Sequence, residues 1–296
     1  MRKLYMLLLF FSCFQYSFPQ KKDTLIKYFN TAFDPCKKSE AVYAGVAVKE
    51  GLGWSVAAFN DSGKIVMRGF YKDKQLATKH GWFVYYYSHG QRLMASKYEN
   101  NIPEGNWQTW YSNGQLKDSI TFKKGLRDGP SVSFFETGKI KCTGIFSNNA
   151  ADSNWAWYHE NGNIATEEVF SAGRLKDLKC YDSNGKFTGI MCSLEKEPAI
   201  KGYYGGIRKY IKDSLLYPVE AWRRGLEGIV DIEFTVTKEG KIANTKITYS
   251  SNELFTTEVI RLINSVPGWY PAIEHNRIID YKVTLKIPFY KKNEEE

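Results

Sequence analysis

A repeat of 24 residues constrains the fold of this chain more than any other feature. Glycines end short aromatic and polar runs at spacings of 27, 24, 24, 24 and 23 residues. These turn glycines are Gly63, Gly90, Gly114, Gly138, Gly162 and Gly185. Two further series share the period of 24, namely the aromatic residues Tyr98, Phe122, Phe146 and Phe170, and the glycines Gly81, Gly105 and Gly129. Self-similarity at a fixed period indicates stacked repeats.

Each repeat unit has the pattern of two strands joined by a tight turn. The strings WYSNGQL and YHENGNI place Asn-Gly next to aromatic residues. Asn-Gly is the strongest short hairpin signal, because a two-residue turn needs a positive φ at both central positions. One hairpin cannot bury its aromatic face alone, but stacked hairpins can. The sequence therefore predicts an elongated antiparallel β-hairpin repeat sheet over 53–192.

These repeats resemble the MORN repeat family, in the variant with Trp-x-x-Tyr-x-x-Asn-Gly-x-Leu. The runs from Trp107 to Leu116 and from Trp155 to Gly162 carry the resemblance most clearly. The resemblance implies a scaffold or a membrane-proximal binding role, and it implies no single chemistry. At about 10 Å per two-stranded unit, five to six units would form a rod of roughly 50 Å.

The 24-residue rhythm ends at a polar stretch, 193–201, which we interpret as a linker. Apolar residues at 207, 210, 211 and 215 then predict a helix, and a second short helix ends at Gly225. Strand alternation over 230–236, a second strand ending near Tyr249, a helix over 255–266 and a last strand over 279–289 follow. The order ααββαβ predicts a small α+β domain.

This part of the chain closely resembles the TonB C-terminal domain, from the energy transducer TonB family. The resemblance is carried by YPVEAWRRGLEGIVDIEFTV at 217–236, KEGKI at 238–242 and VPGWYPA at 266–272. The family-motif residues, for which we expect structural roles, are Tyr217, Pro218, Gly225, Gly228, Gly240, Pro267, Trp269 and Pro271.

The TonB resemblance implies a periplasmic module that captures a short extended segment of an outer-membrane transporter. Such β-augmentation uses the unpaired backbone groups of a sheet edge for affinity and the alternating side chains for specificity. The last strand is the candidate edge, and Val283→Pro is expected to abolish peptide addition. The candidate peptide-binding residues are Ile279, Tyr281, Lys282, Val283, Thr284, Leu285, Lys286 and Ile287.

The N-terminal residues have the pattern of an export signal. Met1-Arg2-Lys3 precedes a nearly uninterrupted apolar run from Leu4 to Phe18. This pattern predicts a signal peptide over 1–20, with a retained inner-membrane anchor or a lipidated Cys13 as alternatives. The predicted order is signal peptide or anchor 1–20, pre-repeat segment 21–52, repeats 53–192, linker 193–201, TonB-like domain 202–290 and charged tail 291–296.

Cysteines and histidines give no sign of a metal site. For Cys36, Cys142, Cys180 and Cys192 we favour free thiols, with disulfide pairing as the alternative. A two-residue turn at Asn184-Gly185 would keep Cys180 and Cys192 apart. The four histidines lack metal-ligand spacing, and no catalytic motif is present. The sequence thus predicts no enzyme activity, no cofactor and no metal.

The charge distribution argues against a nucleic-acid partner. The formal net charge is +9, and the basic residues are spread in ones and twos along the chain. We expect a non-enzymatic protein of the periplasm or cell envelope, an energy transducer or adaptor in transmembrane transport. Its partners would be a transporter segment or another extended peptide, an inner-membrane energising complex, and membrane through the N-terminus or the repeats. The alternative is an envelope scaffold whose repeats bind lipid, glycan or protein.

Overall fold

A computed structural model describes residues 23–190 and 192–290. The predicted signal peptide and charged tail therefore lie outside the described residues. The chain divides into two compact units, Met1–Lys179 and Cys180–Glu296. The predicted fold class is confirmed, since a long antiparallel sheet is followed by a small α and β region.

The strands of the first unit pair antiparallel in chain order, with β7 paired to β6 beside the main path. The strands are β1 Thr24–Phe29, β2 Tyr43–Glu50, β3 Gly53–Phe59, β4 Ile65–Tyr71, β5 Gly81–Tyr86, β6 Arg92–Glu99, β7 Ile102–Pro103, β8 Gly105–Trp110, β9 Leu116–Lys123, β10 Leu126–Phe134, β11 Ile140–Ser147, β12 Ala150–Tyr158, β13 Ile164–Ser171 and β14 Arg174–Tyr181, whose last two residues belong to the second unit. A short 3-10 helix, Lys38–Glu40, precedes β2.

The repeat turns at the Asn-Gly positions differ from the two-residue turns that the sequence predicts. In the unit around Gly114, the Gly114 N–H donates to Tyr111 O and the Tyr111 N–H donates to Gln115 O, both at 2.9 Å. Of the turn residues, Gly114 has a positive φ of 88°, and Asn113 does not. This is a three-residue turn with a glycine bulge. The Asn113 side chain instead accepts the Gln115 N–H at 2.9 Å.

Two-residue turns with two positive φ angles do occur, at the opposite end of each unit. Their φ pairs are 51° and 71° at Asn100-Asn101, 49° and 82° at Lys124-Gly125, 48° and 70° at Asn148-Asn149, and 49° and 78° at Ala172-Gly173. These turns match the right-handed twist of the strands that they join. Each repeat thus uses one turn type at each end of the sheet.

Aromatic rings from successive units pack along one face of the sheet. Ring centroids lie 5.4 Å apart for Phe83 and Tyr98, and 5.5 Å apart for Trp107 and Phe122. In the later units Trp155 packs between Phe146, at 4.9 Å, and Phe170, at 6.5 Å. Phe83, Tyr98 and Trp155 are therefore buried core residues, and the other rings are partly buried beside them.

The pre-repeat segment adds two strands to the sheet, which the sequence pattern did not predict. β1 pairs with β2 from Thr24↔Val48 to Phe29↔Tyr43. Phe29 is fully buried, and the outer side of β1 is partly covered because the Cys36 N–H donates to Tyr28 O at 2.9 Å. A covered edge of this kind protects a repeat sheet from pairing with other chains.

The second unit contains helices and short sheets. Its elements are β15 Phe187–Gly189, β16 Glu195–Lys196, β17 Ala199–Ile200, α1 Gly206–Ser214, α2 Val219–Arg223, β18 Gly228–Val236, β19 Ile242–Ser250, α3 Glu253–Asn264, β20 Trp269–Tyr270, β21 Ala272–Glu274, β22 Arg277–Ile279 and β23 Tyr281–Phe289. Its core includes Ile232, Phe234, Phe255, Val259 and Phe289, all buried.

The stretch that the sequence suggests as a linker pairs with the second unit. β16 pairs with β21, and β17 pairs with β20. Asn276 reinforces this arrangement, because its side-chain amide donates to Tyr181 O at 2.9 Å. The sequence offers no signal for these strands, since each is two residues long and has no alternation to detect.

The expectation of free thiols at Cys180 and Cys192 is wrong, because the two residues form a disulfide with a Cα–Cα distance of 6.2 Å. Cys180 does lie opposite Gly189, as the turn analysis expects. However, β15 ends at Gly189 and the chain leaves the ladder, which removes the assumed position of Cys192 opposite residue 177. Cys36 and Cys142 form no disulfide.

A candidate strand-docking edge

The last strand of the chain lies at an edge of a three-stranded antiparallel sheet with the order β19-β18-β23. β23 pairs with β18 over nine consecutive residue pairs, from Gly228↔Phe289 to Val236↔Tyr281, without a register shift. Its second side faces away from β18. Among the described residues, no strand pairs with that side.

Backbone alternation identifies the groups that point to the open side. The Ser251 N–H donates to Ile229 O at 3.0 Å, so the backbone groups of Ile229 face β19. Successive residues of a strand direct these groups to opposite sides. Val230 therefore bonds to its partner on β23, Ile287, and by the same alternation Tyr281, Val283 and Leu285 also face β18.

The remaining residues of β23 direct their backbone groups to the open edge. They are Lys282, Thr284, Lys286 and Pro288, and all four are exposed. Across 23–190 and 192–290, no turn or loop backbone hydrogen bond reaches any of them. Unpaired N–H and C=O groups in such a row form a template for an added strand.

The opposite edge of this sheet is less regular. Pairing of β18 with β19 shifts register between Asp231 and Ile232 and again between Glu233 and Thr235. Asn244 in β19 has a positive φ of 53°, at the position where the sequence alternation slips. Bulges of this kind twist an edge and discourage strand addition. The straight ladder of β23 makes it the better docking edge of the two.

The two faces of β23 differ in chemistry. Val283, Leu285 and Ile287 turn toward the core of the second unit, whereas Lys282 and Lys286 are exposed on the other face. Lys282 Nζ lies 2.8 Å from Glu233 Oε2 on the neighbouring strand. Burial, together with the nearby Glu197 carboxylate, raises the pKa of the Tyr281 hydroxyl. The side chains of an added strand would thus lie beside apolar residues on one face of the sheet and beside lysines on the other.

One predicted site residue lies outside this strand. Ile279 ends β22 and pairs with Ala272 in a separate hairpin. Asp280 separates the two strands and accepts the Lys238 N–H at 2.7 Å through Oδ1. The continuous alternation from 279 to 289 concealed this break, because a strand boundary without a Gly or Pro leaves no local signal.

The family-motif residues occupy structural positions in the second unit. The Tyr217 ring packs on Phe255 and Phe289, at 5.9 and 6.0 Å, and its hydroxyl donates to Leu226 O. Trp269 is buried against Phe234, with ring centroids 5.7 Å apart. A Cβ on Gly240 would approach Trp269 O to 2.2 Å, so that only glycine fits.

The other motif residues delimit elements. Pro218 is the N-cap of α2, and the Gly225 N–H donates to Trp222 O at 3.1 Å just after that helix ends. Gly228 begins β18, Pro267 follows α3, and Pro271 separates β20 from β21. None of the eight motif residues lies on β23, so the motif supports the fold that presents the edge.

Sequence reasoning missed two features of this unit. Glu258 is buried, accepts the Leu216 N–H at 2.7 Å, and pairs with Arg261 at 2.6 Å. The Glu–Arg spacing of three on a predicted helix was the available signal. The second missed feature is Pro288. Its place inside an alternating strand was itself a signal, because proline within a strand is confined largely to edges and bulges.

Comparison with known families agrees with this geometry. Residues 213–290 match the family model of the Gram-negative bacterial TonB protein C-terminal. Residues 103–124, one unit of the repeat, match the MORN repeat variant. Both predicted resemblances are thereby confirmed. The comparison with curated proteins gives no match.

The TonB match supports a TonB-like protein of the Gram-negative cell envelope. The family model that matches 213–290 describes an energy-transducer or adaptor domain, a type of domain for which interaction with outer-membrane transporters is implied. In the part of the chain that the structure describes, no helix has the length and apolar character needed to span a membrane. Within the same residues, no cluster of His, Cys, Asp and Glu is arranged to hold a metal ion.

Proposed function

We propose that this protein is a non-enzymatic TonB-like transducer or adaptor that binds an extended segment of an outer-membrane transporter. The segment adds to the open side of β23, and the 24-residue repeats take the place of a flexible spacer. The observation that carries this proposal is the straight, exposed edge formed by Lys282, Thr284 and Lys286.

The chemistry of the edge specifies the kind of segment that fits. Backbone N–H and C=O groups at alternate residues supply sequence-independent hydrogen bonds. On the face of the sheet that turns toward the core, side chains of the added strand would lie beside Val283 and Leu285, and we expect them to be apolar. Side chains on the other face would lie beside Lys282 and Lys286, and we expect acidic or polar residues there.

Site-specific crosslinking in cells tests this proposal. A photoreactive residue replaces Lys286 on β23 in the full-length protein, and the matched control places it at Lys246, an exposed lysine on β19. We expect an outer-membrane transporter to crosslink at position 286 and not at 246. Thr284→Pro should abolish that crosslink, because it removes a backbone donor from the middle of the open edge.

Two results would count against the proposal. Equal crosslinking at positions 246 and 286 would show that the β23 edge has no special role. A transporter, lipid or glycan crosslinked only from the repeats over 53–192 would instead favour the scaffold function. Sequencing the mature N-terminus then separates the roles, since cleavage near Gln20 leaves an adaptor and retention of 1–20 leaves an anchored transducer.

A further inference from the structure

We infer that Pro288 ends the docking edge and so limits an added strand to the seven residues opposite 281–287. The inference rests on the proposed function, because it concerns the same edge. Pro288 lies within β23, pairs with Ile229, and is exposed. It therefore limits the length of the segment that the edge accepts.

The alternation of backbone groups places Pro288 among the residues that face the open side. Ile229 directs its backbone groups to β19, so the pair Ile229↔Pro288 makes no ladder bond between β18 and β23. Proline is tolerated at this position for that reason, because the missing N–H costs the sheet no hydrogen bond. The pyrrolidine ring instead projects toward the open edge, where an added strand would need a donor.

The other end of the edge is fixed by the chain itself. Asp280 accepts the Lys238 N–H, and the residues before it belong to the β21–β22 hairpin. The open edge between these two limits offers three N–H donors, at Lys282, Thr284 and Lys286. Beyond residue 287 a longer partner would find no N–H donor unless the proline were replaced, because Pro288 offers only its carbonyl oxygen and its ring occupies the side from which the partner backbone would approach.

Binding of peptides of defined length tests this inference. The probes are labelled peptides of five, seven and nine residues in which Val alternates with Glu and Thr. The proteins are the full-length chain, Pro288→Val and Lys286→Pro. The matched variant Lys286→Pro should shorten the open edge by two residues. It removes no bond to β18, because the Lys286 N–H faces the open edge. Affinity is measured by fluorescence anisotropy, and amide protection by hydrogen exchange.

The expected pattern differs for each protein. In the unchanged chain, the seven-residue peptide should bind more tightly than the five-residue one, and nine residues should add nothing. In Pro288→Val, the nine-residue peptide should bind about two to ten times more tightly than the seven-residue one, as expected for one or two further hydrogen bonds. In Lys286→Pro, the five- and seven-residue peptides should bind equally. Protection of the Val230 and Ile232 amides confirms that each variant is folded.

Two further outcomes separate this inference from the proposed function. In the first outcome, peptides protect the Lys282, Thr284 and Lys286 amides, but Pro288→Val shows the same length dependence as the unchanged chain. This result would overturn the inference that Pro288 ends the edge and would leave the docking edge intact. Failure of every peptide to protect these amides would reject the docking edge, and the inference with it.

Discussion

At the scale of single residues, the direction of one backbone N–H decides what a substitution does. Val283 and Thr284 are neighbours in β23, yet Val283 directs its backbone groups to β18 and Thr284 directs its groups to the open edge. Proline at Val283 would therefore break the sheet rather than block docking. The sequence-based expectation that Val283→Pro abolishes peptide addition thus rests on a backbone donor that faces β18 rather than the open edge.

We predict that Val283→Pro lowers the free energy of unfolding by about 3 kcal/mol or more, since it removes a ladder bond and clashes within the sheet. Thr284→Pro should cost clearly less, because only an unpaired N–H is lost. Urea denaturation followed by circular dichroism measures both values. Equal losses of stability in the two variants would show that the assigned backbone alternation is wrong.

A positive φ in the repeat also gives a residue-scale prediction. Gly81, Gly105 and Gly129 have positive φ angles, and the fourth position of the series, Ser153, adopts φ 58°. A non-glycine residue in this region is strained by about 1–2 kcal/mol. Ser153→Gly should therefore stabilise the protein, by about 0.5–1 kcal/mol after the added entropy of the unfolded chain.

Thermal unfolding compares Ser153→Gly with its reverse, Gly129→Ser. The reverse change should destabilise the protein, because Gly129 has φ 127° and a Cβ there would lie 3.0 Å from Thr121 Cβ. A loss of stability in Ser153→Gly would contradict the prediction.

At the scale of elements, several aromatic rings of the repeat sheet lie over the backbone of a neighbouring strand. The Trp155 side chain on β12 covers Gly144 on β11, and its indole N–H donates to Ile145 O at 3.1 Å. Tyr111 joins units in a similar way, since its hydroxyl donates to Phe134 O at 2.8 Å. Packing between adjacent hairpins thus supplies what one hairpin lacks.

We predict that Gly144→Ala destabilises the repeat sheet by about 1–3 kcal/mol, because the new Cβ would lie 2.0 Å from Trp155 Cδ2. A double-mutant cycle with Trp155→Val measures the coupling. The alanine should cost much less once the indole is absent. Additive losses in the double variant would show that the ring does not restrict this position.

At the scale of the whole molecule, the sheet of the repeats and the small TonB-like unit are each completed by long-range contacts. The Cys180–Cys192 disulfide closes a short loop at the start of the second unit, and β16 and β17 attach the following residues to the same unit. Such crosslinks act mainly by restricting the unfolded chain.

We predict that the double variant Cys180→Ser with Cys192→Ser lowers the free energy of unfolding by about 3 kcal/mol, the value that chain entropy gives for a loop of this length. Urea unfolding measures this change, and a reducing agent should affect the unchanged chain but not the variant. The control is Cys142→Ser, which removes a buried thiol that forms no disulfide. Equal stability of the unchanged chain with and without reductant would contradict the prediction.

The sequence by itself determined the repeat period, the aromatic core positions, the α+β order and the family resemblances, because these depend on local periodicity and turn residues. Tertiary structure alone decided the separation of Ile279 from the last strand, the disulfide, the strands at 195–200 and the side of β23 that remains open. These features depend on which strand lies beside which, and residues distant in sequence fix that arrangement. Thr284 and Pro288 acquire their roles only when β18 occupies the other side of their strand.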